Sequence, residues 1–384
     1  MERHDVVVVG MGVVGSATAR ALARDGYAVL GLERDGIPNP RSSSHGPSRI
    51  IRLAYHEGAT YVPMLRRSYD RWAALGDRRD ERLLRTTGSL AIGPPDSRTF
   101  AGARETCRAH DIDHEVLDAE AVNRRFPAYD LPPGLRAVHQ PDGALLDAER
   151  CLVGLVEAAM ADGAEVRARE AVLDWTADGD RVRVRTERGV HVADAVVIAA
   201  GAWAADRVPE LDGLLTPERH VVCRFRPADP GAFEPASFPV FVADTADGRH
   251  FYGLPAHRVP GVKVGDTTAG RLGVDPDALD RRPDPGEERT ARAFVERHMP
   301  AGAGPTMDLT ACLLSHSPDG DYVIDRLPGR PNAVVAVGGS GHGFKTAPVV
   351  GELAAALATD REPPVDPAPF ALDRFEDRRS APDG

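Results

Sequence analysis

Val6-Val7-Val8-Val9-Gly10-Met11-Gly12-Val13-Val14-Gly15 runs a β-branched tetrad straight into a Gly-x-Gly-x-x-Gly sequence near the start of the chain. The tetrad has the composition of a strand buried on both faces. Ser16 to Asp25 reads as a helix: Gly15, Ala19 and Leu22 lie on its packing side, Arg20 and Arg24 point outward, and Gly26 stops it. Ala28 to Leu32 reads as a second strand, and Glu33 follows 23 residues beyond Gly10. Strand, glycines, helix, strand and acid in this register predict a dinucleotide-binding βαβ unit. The glycines let the backbone approach a pyrophosphate at a helix N-terminus, and the carboxylate accepts from ribose hydroxyls.

The buried-strand-into-glycine theme returns twice, at Ala195 to Gly201 and at Ala333 to Val337 entering Gly338-Gly339-Ser340-Gly341. Strands at the start, middle and end predict a discontinuous Rossmann-type nucleotide domain formed by 1–86, 145–218 and 318–384. Segments 87–144 and 219–317 would form a substrate domain around a mixed β-sheet, so the class is α/β with α+β character. Thr87 to Ile92 reads as a strand, Ser97 to Ala109 as a helix, and Asp147 to Ala161 as an amphipathic helix begun by an Asp cap. Arg181 to Arg185 alternates like a half-exposed strand. Residues 219–310 are Pro- and Gly-rich, with short strand-like pieces at His220 to Phe225 and Val240 to Val242. Pro348 to Leu357 reads as a closing helix and Arg361 to Gly384 as a polar tail.

The 384 residues are 42% apolar and 27% charged, an ordinary globular balance that excludes wholesale disorder. A net charge of −11 argues against nucleic acid as a partner. No apolar run near the N-terminus approaches a membrane span and no leader pattern precedes it, so a soluble cytoplasmic protein is expected. Cys107, Cys151, Cys223 and Cys312 lie 44, 72 and 89 residues apart, neither a disulfide framework nor a metal cluster. Only two of the 47 basic residues are lysine, Lys263 and Lys345. In a chain that uses Arg wherever a plain positive charge suffices, each lysine is a candidate for a site that needs a compact ammonium.

Two loops combine small residues with cations. Ser42-Ser43-Ser44-His45-Gly46-Pro47-Ser48-Arg49-Ile50-Ile51-Arg52 follows the second strand and fits either a solvated basic loop or a holder of an anionic ring system or carboxylate. Gly338 to Lys345 follows a buried strand, and loops at strand C-terminal ends face the ligand crevice of an open α/β sheet. Lys263 sits mid-strand among apolar residues, where burial is costly unless a negative partner or a redox cofactor uses it. Cys312 on its own reads as a small buried apolar residue.

Taken together, these residues resemble the monomeric sarcosine oxidase and N-methyltryptophan oxidase family of flavin amine oxidases. The most specific matches are Ser-His-Gly-x-x-Arg-Ile-Ile-Arg at 44–52, Phe-Tyr-Gly at 251–253, Cys312 with Ser-Pro-Asp-Gly-Asp-Tyr-Val-Ile-Asp at 317–325, and Gly-x-Gly-His-Gly-Phe-Lys at 339–345. Ala200-Gly201 with Ala202-Trp203 looks like the wider group's second flavin signature. The resemblance implies FAD held by Gly10, Gly12, Val13, Val14, Gly15, Glu33, Arg34, Ser42, Ser43, Ser44, His45, Arg49, Gly201, Gly339, Gly341, His342, Gly343, Phe344 and Lys345. It assigns Cys312 a thioether to the flavin, Lys263 a place where oxygen is reduced, Arg52 and Lys345 the substrate carboxylate, and Tyr252 and His342 the pocket wall. His45 and Arg49 would lie beside the ring, no metal is implied, and the family leans toward a monomer.

The activity so implied is oxidation of a secondary, N-methyl or cyclic α-amino acid by hydride transfer to FAD, giving an imine and, from oxygen, hydrogen peroxide. Where sarcosine oxidase carries an aromatic residue and His after Lys-x-Gly, this chain has Asp266 and Thr267. After Cys312 it has Leu313 and Leu314 instead of a hydrophobic-Tyr pair. Both positions are expected near the substrate, which points to a larger or cyclic amino acid. Two alternatives stay open on sequence: a nicotinamide-dependent dehydrogenase, which the Gly-Met-Gly-x-x-Gly unit suits equally, and a flavin dehydrogenase passing electrons to a carrier.

Overall fold

The computed structural model describes residues 3–376. Arg3–Val9, with Val6 to Val9 all buried, pairs in parallel with Val29–Glu33 on one side and with Val190–Ile198 on the other. Val29–Glu33 continues in parallel to Glu165–Ala168, and the C-terminal half of Val190–Ile198 continues in parallel to Arg330–Val337. Val172–Asp178, Arg181–Thr186 and Val323–Leu327 add antiparallel neighbours, completing one eight-stranded sheet. Apart from the edge strand Glu165–Ala168, the parallel strands are largely apolar on both faces because helices Val13–Arg24, Ala148–Ala161 and Ala347–Ala358 cover one side of them and a second apolar cluster covers the other.

A nine-stranded mixed sheet stands apart from the first. Thr216–Phe225 pairs antiparallel with Val262–Asp266 and with Thr306–His316, and Val262–Asp266 continues through His250–Leu254 to Val240–Asp244. Val240–Asp244 runs parallel to Ser89–Gly93, which leads on to Arg136–Gln140 and Glu115–Asp118. Its outer face packs on a core rich in phenylalanine, including Phe225, Phe241, Phe251 and Phe294. The inner face carries the polar side chains described below. A small antiparallel sheet, Ser48–Ile51 with Ala144–Asp147 and Leu84–Thr86, completes the strands.

Four expectations need correction. The first helix begins at Val13, three residues early, because extended Gly12 hands the chain directly into it. Asp147 does not cap Ala148–Ala161; its carboxylate accepts instead from His257 and Arg258. The span 219–310 is not a loop-rich stretch with strand fragments but supplies much of the second sheet, its Pro and Gly lying mostly at turns. The segment after Arg361 is not wholly polar: Phe370, Leu372 and Phe375 are buried against the first sheet's cores. The rest of that expected tail, 377–384, lies outside the described residues.

Candidate active site

A cavity of about 590 Å³ runs from the C-terminal ends of Arg3–Val9, Val190–Ile198 and Arg330–Val337 to the inner face of the second sheet. This is where an open α/β sheet places its ligand. At the nucleotide end, Gly10 has φ +90°, and a Cβ there would lie 2.7 Å from the Ala199 carbonyl oxygen. A Cβ on Gly15 would lie 1.8 Å from the Gly10 carbonyl oxygen, so strand and helix meet at a distance only glycine permits. The Val13 N–H donates to Ser44 Oγ at 3.0 Å. Glu33 closes the turn, accepting from the N–H groups of Met11 and Asp35 at 2.9 and 3.0 Å. Val14, Ser42, Ser43 and Gly201 also line the cavity. Arg34 does too, held by Asp277 at 2.9 Å and lying 4.5 Å over Trp203.

The middle is cationic. Arg49 donates to the Ser43, His45 and Ser48 carbonyls and lies 5.5 Å over the Phe344 ring. Lys263 Nζ donates to the Ser48 carbonyl at 3.0 Å. No carboxylate faces this lysine: its partner is a backbone oxygen, and burial followed by Arg49 and Arg224 pushes its ammonium well below the usual range. His45 Nδ1 lies 2.6 Å from the Ser42 carbonyl, which makes Nδ1 the protonated nitrogen and turns Nε2 to Cys312 Sγ at 3.9 Å. Burial lowers the His45 pKa, favouring neutral imidazole. Cys312 lines the cavity and is half-buried, whereas the other three cysteines are buried.

At the far end Arg52 and Lys345 lie 4.8 and 5.2 Å from the centre of one ring, Tyr55. Lys345 donates to the His342 carbonyl at 2.8 Å, and burial brings its pKa down to about 7. His342 has both ring nitrogens engaged, by the Tyr55 hydroxyl at 2.7 Å and the Gly320 carbonyl at 2.9 Å. Gly339, Gly341, Gly343 and Phe344 complete this rim. Tyr252, Thr267 and Leu314 line the wall, while Asp266 turns outward to Arg249 and Leu313 into the core. Alternation along each strand explains why one residue of each pair reaches the cavity.

Residues that sequence reasoning passed over sit among these. Glu57 takes both its oxygens to Arg52 Nη2 at 2.8 Å, with His56 Nδ1 3.3 Å away. One signal existed: Glu57 is the sole acidic residue between Asp35 and Asp70, in a run otherwise basic. His250, bonded to Asp244 at 2.6 Å, faces the His56 ring. Glu218, His220 and His316 also line the wall.

A family model for FAD-dependent oxidoreductases matches residues 5–357. The chain belongs to the FAD-dependent oxidoreductase family. It is 36% identical over 359 residues to a monomeric sarcosine oxidase of Streptomyces avermitilis, covering 92% of this chain and 93% of that protein. It is 33% identical over 378 residues to an N-methyl-L-tryptophan oxidase of Salmonella typhi, covering 97% and 99%. Among solved structures, NikD, an unusual amino acid oxidase essential for nikkomycin biosynthesis, superimposes with a TM-score of 0.84 at 28% identity over 97% of this chain and 98% of that one. The family sets aside the nicotinamide alternative. The residues present fit FAD: a turn at Gly10 and Gly15 too tight for any Cβ, a carboxylate, Glu33, against that turn, and a cation-lined cavity continuous with both.

Proposed function

We propose that this FAD-dependent oxidoreductase oxidises a secondary, N-methyl or cyclic α-amino acid, giving an imine that water hydrolyses and, from molecular oxygen, hydrogen peroxide. The observation that carries this reading is the pair Arg52 and Lys345 over the Tyr55 ring, two buried cations at the cavity's end with one carboxylate, Glu57, between them. FAD, when bound, supplies the acceptor for a hydride from the carbon beside nitrogen.

Gly10, Gly12, Val13 and Gly15 would hold the pyrophosphate, Glu33 the ribose, and the 42–49 and 339–344 loops the ring. Arg52 and Lys345 bind the substrate carboxylate through charge-assisted hydrogen bonds and thereby fix the carbon to be oxidised. Lys263 holds its nitrogen where negative charge would develop on oxygen; burial, then Arg49 and Arg224, lowers the pKa of this amine, and a developing negative charge beside it favours the ammonium. His45 and Arg49 border the ring, and His342 buttresses Tyr55. Cys312 Sγ is the atom we assign to a covalent flavin link, supported by its exposure to the cavity beside neutral His45. Leu314 and Thr267 put no aromatic ring at their own positions on the wall, which suits a larger or cyclic side chain.

The division we propose, nucleotide segments 1–86, 145–218 and 318–384 and substrate segments 87–144 and 219–317, is supported by the first sheet lying wholly in the former and the second sheet, but for the start of Thr216–Phe225, in the latter. No described helix is long and apolar enough to cross a membrane. We place the protein in the cytoplasm as a monomer. The decisive measurement is a peroxide assay over N-methyl, proline-like, piperidine-type and aromatic amino acids, with acid precipitation of the purified protein. Activity with one of these classes and a yellow precipitate are expected. A precipitate that stays yellow in Cys312→Ala removes the thioether assignment, and no peroxide from any class removes the oxidase reading.

A further inference from the structure

Glu218, His220 and His316 belong neither to the carboxylate grip nor to the cofactor cradle, yet all three line the cavity. Strand Thr216–Phe225 turns Glu218 and His220 inward by alternation, and they are 4% and 2% exposed. His220 Nε2 lies 3.0 Å from the Tyr252 hydroxyl, the two rings near-parallel at 5.8 Å. Their contact crosses the intervening strand Val262–Asp266, and Gly265 makes this geometrically feasible: a Cβ there would lie 2.5 Å from the Tyr252 ring.

On the other side of the imidazole, Nδ1 lies 3.5 Å from Glu218 Oε1. Burial raises the Glu218 carboxyl, but His220 and His316 outweigh it and hold the group at about 2, so it is ionised. A fixed negative charge beside Nδ1 keeps the imidazole proton there and leaves Nε2 to accept from the Tyr252 hydroxyl. The Tyr252 oxygen is thereby left with lone pairs for the cavity.

We propose that Glu218, His220 and Tyr252 form a proton relay that takes the ammonium proton from the bound amino acid before its carbon is oxidised. The proposal rests on the reading of the cavity given above. An amino acid arrives as an ammonium, and a hydride leaves the neighbouring carbon only when nitrogen has a free lone pair. In the relay the ammonium N–H bond breaks as an O–H bond forms on Tyr252, and the original Tyr252 O–H breaks as an N–H forms at His220 Nε2. The products are a free amine, neutral tyrosine and an imidazolium against the Glu218 carboxylate, and no electrons change hands. Carboxylate, imidazole and hydroxyl stand in the order used to activate hydroxyl nucleophiles, here serving a proton acceptor. Tyr252 is the catalytic residue; His220 and Glu218 are positioning residues. The other charged or titratable groups around the trio are Cys223 and Arg224 from the same strand, Lys263 from Val262–Asp266, Cys312 and His316 from Thr306–His316, and Arg49.

The test is anaerobic flavin reduction at saturating amino acid, which removes any pH dependence of carboxylate binding, in wild type, His220→Gln, Glu218→Gln and Tyr252→Phe. His220→Gln is expected to be slower by about tenfold or more near pH 7 and to recover to within about threefold near pH 10, where the amine no longer needs an acceptor. Recovery at high pH also shows that the variant is folded and loaded. Glu218→Gln moves the same way by a smaller factor, and the His220→Gln/Tyr252→Phe pair is no slower than His220→Gln alone, because the two act as a unit. A loss by one factor at every pH, or an unchanged profile, overturns the relay. A second readout needs no turnover: when 2-aminoisobutyrate, whose only carbon on nitrogen bears no hydrogen, binds wild type, one histidine's ring nitrogens shift to imidazolium values by nitrogen NMR. No shift, or the same shift in His220→Gln, also overturns it. A wild type whose flavin none of the amino acids reduces fails the oxidase reading; one whose flavin is reduced by an amino acid while His220→Gln keeps the wild-type profile fails the relay alone.

Discussion

Lys345 is an ammonium that burial destabilises, with Glu57 opposing and Arg52 and Arg49 adding to the shift, so that its pKa falls to about 7. The sign is that of a depressed cation: Lys345 is charged below that pH and loses its charge as pH rises through it, where a free lysine would keep it. An arriving carboxylate replaces part of the lost hydration and draws the proton back. The dissociation constant of an unreactive carboxylate ligand should therefore be flat below about pH 7 and rise by up to about tenfold per unit above it. Lys345→Met should weaken that ligand by about 10- to 100-fold near pH 6 and remove the dependence. Titration followed by flavin absorbance checks both; parallel curves for the two proteins would count against the assignment. At this scale the sequence was informative where a residue type was rare. Both lysines reached the cavity, and Cys312 lines it. Glu57 was passed over because its one signal, a lone acid in a basic run, does not say which cation it meets until the loop folds it back.

Among elements, Val13–Arg24 and Ala347–Ala358 pack closely enough that a Cβ on Gly351 would lie 2.5 Å from the Ala17 carbonyl carbon and 2.6 Å from the Thr18 nitrogen. Backbone cannot yield as a side chain can, so Gly351→Ala should force the helices apart and cost about 1–3 kcal/mol. Glu352, the next residue, is 8% exposed and meets Arg67 and Arg71 at 2.6 Å and Arg24 at 3.2 Å. Because those guanidiniums are themselves partly solvated, Glu352→Gln should cost only about 1–2 kcal/mol. Urea denaturation of the two variants ranks them; a Glu352→Gln protein as stable as wild type would show the cluster to be a surface ornament. Helix Val13–Arg24 was legible because apolar spacing, a glycine entry and Gly26 agree. Asp147 misled because an Asp before a helix is also free to serve elsewhere, and His257 and Arg258, over a hundred residues on, claimed it.

For the molecule as a whole, one cavity is lined from both large sheets, so a flavin seated in it would contact both and stabilise only the folded chain. Cys312→Ala, holding flavin without a sulfur link, should lose it on extensive dilution and then melt lower by about 5 °C or more than its loaded form. Scanning calorimetry with and without added FAD measures this, and equal melting temperatures would contradict a flavin seated between the sheets. The nucleotide unit could be read from the chain because its chemistry is local: strand, turn, helix and acid lie within thirty-odd consecutive residues, where spacing and contact coincide. The long return of 195–201 and 333–341 was legible for the same reason, each being a buried run ending in glycine. Cross-strand neighbours obey no such spacing. His220 meets Tyr252 across 32 residues and a third strand, and Arg52 meets Lys345 over a tyrosine ring contributed by neither loop's motif. Register and packing set those distances, and register is a property of paired strands that no single stretch of sequence contains.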